Sequence, residues 1–181
     1  MREIDPERLV FVDECATHTS MTRLYARAPK GERAYGKVPR NRGKNTTLLA
    51  SMTSEGMGPC LAVEGTTTKA VFEAYVEQVL APSLRDGQVV IVDNLGAHKG
   101  ERVRELIEGQ GCELMFLPAY SPDFSPIEEA FSKIKALLRK TAARTREALV
   151  EAIGGAISAV TPEGAVGFFG HCGYLPAVQP S

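Results

Sequence analysis

Residues 88–93 read QVVIVD, an apolar run that ends on the acidic residue Asp93. The earlier run at residues 9–14, LVFVDE, has the same form and carries Asp13. Short apolar runs of this kind are typical of buried strands. An unpaired carboxylate avoids such a position, because its transfer towards a low-dielectric interior is costly in free energy. We therefore expect Asp13 and Asp93 to be paired or to bind a metal.

A third carboxylate, Glu128, stands in the helix signal SPIEEAF, and 34 residues separate it from Asp93. The alternative for Glu128 is a capping box, because Ser125 fits the N-cap position, Pro126 fits N1 and Glu128 fits N3. Glu129 is the rival acid on this helix. It projects about 100° away around the helix axis and is expected to face solvent.

The order of the elements predicts an α/β chain of the RNase H-like fold, a mixed central sheet flanked by helices. In that fold the first and fourth strands are adjacent, so Asp13 and Asp93 lie side by side and the last core helix brings Glu128 over them. Glu14, the rival to Asp13, is expected on the opposite face of its strand. Strands are predicted at 9–15, 46–53, 58–63, 89–93 and 113–117, and helices from Thr66, Thr67 or Thr68 to about 80, at 99–108, at 126–140 and at 146–160.

Three carboxylates from separate elements predict a magnesium site. Mg²⁺ is a hard cation that prefers oxygen ligands, keeps several waters and accepts phosphate oxygens as remaining ligands. Two such ions, about 4 Å apart, activate a water or a 3′-hydroxyl and stabilise the leaving oxygen of a phosphodiester. We therefore expect in-line phosphoryl transfer on DNA, with Mn²⁺ able to replace Mg²⁺.

The net charge of the chain is only −1, but its basic residues are concentrated in two segments, here called the basic blocks. Residues 22–45 contain eight Lys and Arg residues against Glu32 alone, and residues 132–146 contain six with no acid. Such blocks supply phosphate contacts, although each alone is equally consistent with a solvated face. Two blocks that flank an acidic triad favour nucleic acid as the partner. The candidate DNA contacts are Arg23, Arg33, Lys37, Arg40, Arg42, Lys44, Lys133, Lys135 and, outside the blocks, His98.

Two polar residues follow Asp93 in the sequence DNLGAH. Asn94 is a candidate to orient Asp93 or a water molecule, and the alternative is that it holds a local turn. His98 either contacts a phosphate or the scissile region, or is a packing histidine at the start of a helix.

Length and composition predict one domain over residues 1–181, with a basic loop or hairpin at about 22–45 and C-terminal helices at about 145–170. The apolar runs are too short to span a membrane, and the charged start MREIDPERL does not resemble a signal peptide. The four cysteines are widely spaced and form no CxxC pair, so we expect reduced thiols and a cytoplasmic location, nucleoid-associated when DNA is bound.

The strings FVDE, VIVDNLGAHK and LPAYSPDFSPIEEAFSKIK resemble the catalytic signatures of DDE transposases of the mariner superfamily, in its bacterial insertion-sequence branch. The resemblance implies cleavage of transposon ends with two carboxylate-held Mg²⁺ ions, and joining of the freed 3′-hydroxyls to target DNA, typically at TA dinucleotides. By position it makes Asp13, Asp93 and Glu128 the three catalytic and metal-binding acids. It also implies a homodimer acting on DNA.

The sequence departs from the family pattern at a few positions. Ser125 stands where Asn is usual, and Phe131 where Trp is common. Family transposases carry an N-terminal helix-turn-helix region, whereas Met1 lies just before the first catalytic strand. We therefore expect a catalytic domain without that region, fused to or paired with an upstream frame. The alternatives are a truncated, non-catalytic fragment that binds or inhibits the full-length enzyme, and a structure-selective RNase H-like nuclease.

Overall fold

A five-stranded mixed sheet forms the centre of the structure, a computed structural model that describes residues 4–40, 43–118 and 122–175. The strand order is β3-β2-β1-β4-β5. β1 pairs antiparallel with β2, which pairs antiparallel with β3, while β4 is parallel to both β1 and β5. The strands are β1 (Leu9–Thr17), β2 (Thr46–Thr53), β3 (Gly56–Glu64), β4 (Val89–Val92) and β5 (Glu113–Phe116).

Five α-helices in the described part of the chain cover the two faces of the sheet. Thr68 is the N-cap of the first helix, because its hydroxyl accepts a hydrogen bond from the Val71 N–H at 3.3 Å. Beyond this helix the chain continues through a π-helical turn, Val76–Leu80, so the helix predicted to run to residue 80 has a regular α part of only two turns. The helices are α1 (Lys69–Tyr75), α2 (Glu101–Glu108), α3 (Pro126–Thr141), α4 (Arg146–Ser158) and α5 (Pro162–His171).

The alternation of side chains along β1 decides which residues face each layer. Phe11 and Cys15 pack into the core under α3, α4 and α5, together with Ile127 and Phe169. Val10 and Val12 pack into the second core, under α1 and α2. Asp13 follows the phase of Phe11 and Cys15, so it lies on the α3 side of the sheet.

The boundaries differ from the sequence expectations near the carboxyl ends of the strands. β4 ends at Val92, so Asp93 lies just outside the ladder. A 3₁₀ turn, Gly96–His98, separates this end from α2, which therefore begins at Glu101 rather than residue 99. Residues 27–40 and 43–45 contain no strand, so this described part of the basic segment is a loop and not a hairpin.

No single helix in the described ranges is long and apolar enough to cross a membrane. Only α4 and α5 taken together reach that length and composition, and a bend of 76° separates them. Their buried residues, among them Ile153 and Phe169, belong to the core against the sheet.

Candidate active site

The carboxyl ends of β1 and β4 bring two of the three acids together. Val12 and Val92 are neighbours in the parallel pair, and each is followed in the chain by an aspartate. Asp13 and Asp93 therefore lie side by side, at the edge where open α/β sheets bind ligands. Glu128 reaches the same edge from the first turn of α3.

Asp13 is buried, with 9% of its surface exposed. Burial raises the pKa of its carboxyl group to about 7, and the negative charges of Glu128 and Asp93 add to this effect. The N–H of Glu14, which donates to Asp13 Oδ1 at 2.7 Å, opposes it. Asp13 therefore needs a cation or a proton nearby to be stable in this position.

Asp93 is held by its own loop. Its Oδ1 accepts a hydrogen bond from the N–H of Leu95 at 3.2 Å and is bonded to Nδ1 of His98. Asn94 is exposed, and among the described residues the hydrogen-bond partners of this carboxylate are Leu95 and His98, not Asn94. The residue that orients Asp93 is thus His98, and the role expected for Asn94 stays a prediction.

His98 is fully buried, and its ring lies 4.0 Å from the ring of Phe72. The expected DNA contact of His98 is wrong for this structure, because the ring has no surface that a phosphate could reach. Burial alone would lower the pKa of the imidazole, but the bond to Asp93 and the nearby Glu14 carboxylate raise it to about 9. The His98 imidazole is therefore positively charged, and it lies between Asp93 and Glu14.

Glu14 lies on the face opposite to Asp13, where Thr67 and His98 lower the pKa of its carboxyl group against the effect of burial. Its Oε2 is 3.9 Å from Nε2 of His98, which is an ion-pair distance rather than a hydrogen bond. Glu14 Oε2, Thr67 Oγ1 and His98 Nε2 are buried without a hydrogen-bond partner among the described residues. Glu14 thus faces His98 on the side of the sheet away from Asp13, and the charge of Asp93 also acts on its carboxyl group.

On α3, Glu128 is exposed and Glu129 is half-buried. The Glu129 side chain is partly open to solvent, and its Oε2 lies 3.1 Å from Nδ1 of the exposed His171 on α5. Ser125 makes no side-chain cap bond, so Glu128 does not form the capping box. It is Glu128 whose charge acts on Asp13.

The three acids fit a hard divalent cation by their chemistry. All three supply carboxylate oxygens, and the raised pKa of Asp13 marks a negative charge that lacks compensation. Within residues 4–40, 43–118 and 122–175, no three acidic, histidine or cysteine side chains are already arranged to enclose a metal. One oxygen of Asp93, Oδ1, is hydrogen-bonded to the His98 ring and to the Leu95 N–H.

The predicted DNA contacts of the two basic blocks differ in their exposure and pairing. Arg23, Arg33, Lys37, Arg40 and Lys133 are exposed, whereas Arg42 lies outside the described residues. Lys44 pairs with Glu64 at 2.6 Å, and Arg146 pairs with the same carboxylate at 3.1 Å, so their charges are partly neutralised. Lys135 is half-buried above β1, where its charge lowers the pKa of the Cys15 thiol against the larger effect of burial.

Sequence reasoning missed the support that the C-terminal residues give to α3. The Tyr174 hydroxyl donates to the Phe124 carbonyl at 2.8 Å, just before the helix that carries Glu128. The Tyr174 ring lies 5.1 Å from that of Phe11 on β1. The only sequence signal was the tail FFGHCGY, whose contacts with distant residues cannot be read from spacing.

A family model described as DDE superfamily endonuclease matches residues 8–150, a range that includes Asp13, Asp93 and Glu128. The chain belongs to this family. A comparison of the DDE superfamily endonuclease chain with curated proteins gave no match.

Solved structures with a similar fold include several of Mos1 transposase. The Mos1 paired-end complex with left transposon end has a TM-score of 0.75 at 21% identity, over 90% of this chain and 51% of that chain. The mariner Mos1 paired end complex with Mg has a TM-score of 0.68 at 19% identity, over 91% of this chain and 53% of that chain. The catalytic domain of Mos1 mariner transposase has a TM-score of 0.64 at 17% identity, over 93% of this chain and 78% of that chain.

These likenesses confirm the RNase H-like α/β fold predicted from the sequence. The DDE superfamily endonuclease chain spans about half the length of the Mos1 chains in the paired-end complexes.

Proposed function

We propose that this DDE superfamily endonuclease chain is the catalytic domain of a transposase that cleaves DNA strands and joins the freed 3′-hydroxyl to target DNA. The observation that carries the proposal is the convergence of Asp13, Asp93 and Glu128 at one sheet edge, with Glu128 and Asp93 both raising the pKa of Asp13. A buried acid whose pKa is raised further by neighbouring carboxylates is typical of sites that bind cations.

Asp13, Asp93 and Glu128 are the residues that would hold two divalent ions, Mg²⁺ or Mn²⁺. The chemistry that such ions supply is activation of a water or 3′-hydroxyl and stabilisation of the leaving oxygen. His98 keeps Asp93 in one orientation, and the N–H of Glu14 does the same for Asp13. Support comes from Mos1 transposase, which has been solved in paired-end complexes with Mg and with Mn.

DNA is the partner that we propose for the whole protein, again with support from the transposon-end complexes of Mos1. A homodimer acting on two ends, a TA-containing target and recognition of the ends through a helix-turn-helix region are further parts of this proposal. In the cell such a protein is expected in the cytoplasm, with the nucleoid when DNA is bound.

A strand-transfer assay tests the proposed reaction. A labelled oligonucleotide with a free 3′-hydroxyl is incubated with supercoiled plasmid and the chain, in Mg²⁺, in Mn²⁺ or in chelator. We expect nicked plasmid and oligonucleotide joined to plasmid with either metal, and neither product in chelator. Undiminished nicking in chelator, or none with either metal from a folded chain, would contradict the proposal.

A further inference from the structure

A groove of about 710 Å³ lies between residues 22–38 and the C-terminal end of α3. The two basic blocks of the sequence, far apart along the chain, meet in its walls. Among the described residues that line it, five are basic and none is acidic. The basic residues are Arg23, Lys37, Arg139, Lys140 and Arg144.

The positive charge of this groove is largely uncompensated. Arg144 donates to the carbonyls of Thr19 and Met21 at 2.9 and 3.0 Å, which ties the start of the basic loop to the turn after α3. The other four basic residues form no ion pair with any described residue. A surface of this kind attracts a polyanion.

Large apolar side chains stand exposed beside these charges. Tyr25 and Tyr35 line the groove and are 88% and 90% exposed, and Leu24 and Val38 are 67% and 68% exposed. Contiguous apolar exposure on a polar surface marks an interaction site. Tyrosine rings next to cations suit the sugars and bases of a nucleic-acid strand.

The groove is in line with the candidate active site. Lys135 and Arg139 follow Glu128 by seven and eleven residues, close to two and three full helical turns, so all three lie along one side of α3. Arg139 is about 17 Å from Glu128 along the helix axis. That length corresponds to about five base pairs of duplex DNA.

We propose that this groove binds the phosphate backbone of the substrate DNA, about five base pairs from the phosphodiester at the acidic site. The inference rests on the proposed function for the identity of the polyanion. Charge complementarity favours DNA over a second copy of the chain, whose matching surface would carry the same positive charges.

A salt series of binding measurements tests the groove in the absence of chemistry. The probe is a fluorescein-labelled duplex of arbitrary sequence, in chelator, and the variants are Lys37→Gln/Arg139→Gln and the control Arg102→Gln/Arg104→Gln on α2. Both variants remove two positive charges, but only the first removes them from the groove. A plot of log affinity against log salt concentration has a negative slope. We expect this slope to become less steep by about two in the groove variant and to stay unchanged in the control.

Cleavage kinetics in Mn²⁺ give a second measurement. The groove variant is expected to raise KM for DNA and leave kcat unchanged, because its side chains are far from the acids. Equal slopes in the two variants, or a loss of dimer in sedimentation without a loss of DNA affinity, would overturn the proposal. If the unaltered chain cleaves no DNA, the proposed function fails, whereas the binding measurements still decide the role of the groove.

Discussion

At the scale of single residues, the decisive contact is the buried His98 between Asp93 and Glu14. A histidine that binds a metal-ligating carboxylate fixes the orientation of that ligand, and loss of such a partner lowers metal affinity. The fold buries the ring against Phe72, which leaves Asp93 on the open side of the site. The loop DNLGAH, residues 93–98, thus holds the carboxylate of Asp93 in position.

Replacement of His98 tests this role. His98→Ala is expected to raise the Mn²⁺ concentration needed for half-maximal cleavage by about tenfold to a hundredfold, because Asp93 loses its partner. His98→Asn, whose amide can donate near the position of Nδ1, should recover part of the loss. The measurement is a metal titration of DNA cleavage with folded protein, checked by circular dichroism. Identical titrations for His98→Ala and the unaltered chain would exclude the role.

Asp13 gives a pH-dependent prediction for the metal-free chain. Its pKa is raised from 3.8 to about 7, so the folded state binds more protons than the unfolded state between these values. The free energy of unfolding therefore decreases as the pH rises through this window, and one pKa unit corresponds to about 1.4 kcal/mol.

Asp13→Asn removes that titration with little change in volume. In chelator at pH 8 we expect the variant to be a few kcal/mol more stable than the unaltered chain, and the difference to vanish below the ordinary pKa of an aspartate. Mg²⁺ should raise the melting temperature of the unaltered chain and not that of the variant. Urea unfolding across pH is the measurement, and a variant that is less stable at pH 8 would contradict the prediction.

At the scale of elements, α5 and the residues after it hold the first turn of α3 against β1. The Phe11 and Phe169 rings meet edge to face at 5.4 Å, and Tyr174 packs on both. The Tyr174 hydroxyl also donates a hydrogen bond to the Phe124 carbonyl, just before α3. These contacts fix Glu128 relative to Asp13, although none of them touches either acid.

Tyr174→Phe removes only the hydroxyl from this arrangement. We expect a loss of about 1 kcal/mol in the free energy of unfolding, because one hydrogen bond to a loop carbonyl is lost while the ring contacts remain. The turnover of DNA cleavage should fall several-fold with KM unchanged. Glu129→Gln is the matched control and should leave turnover near that of the unaltered chain. Unchanged turnover in Tyr174→Phe would show that the hydroxyl does not position Glu128.

The elements themselves were largely predictable, because periodicity and caps are local signals. The sequence restricted the N-cap of α1 to Thr66, Thr67 or Thr68, of which the structure has Thr68, and the apolar phase of β1 separates Asp13 from Glu14. The burial of His98 was not predictable, because it depends on α1 packing Phe72 over the loop after β4. The same holds for the contact of Glu129 with His171, which is 42 residues further along the chain.

At the scale of the whole molecule, the fold gathers charges that the sequence keeps apart. The net charge is −1, yet five described basic residues from two separate blocks line one groove, and the acids collect at the ends of β1 and β4 and in the first turn of α3. Spacing predicted the acids because the strand order brings them together. The groove was not predictable, since it depends on how the loop at 22–38 lies against α3.

The central claim is that Asp13, Asp93 and Glu128 act together on DNA through divalent metal. The most direct measurement is Mn²⁺-dependent plasmid nicking by Asp13→Asn, Asp93→Asn and Glu128→Gln, beside the matched controls Glu14→Gln and Glu129→Gln. We expect loss of nicking in each of the first three folded variants, partial activity in Glu14→Gln and nearly full activity in Glu129→Gln. Retained nicking in any of the first three, or its loss in Glu129→Gln alone, would contradict the assignment.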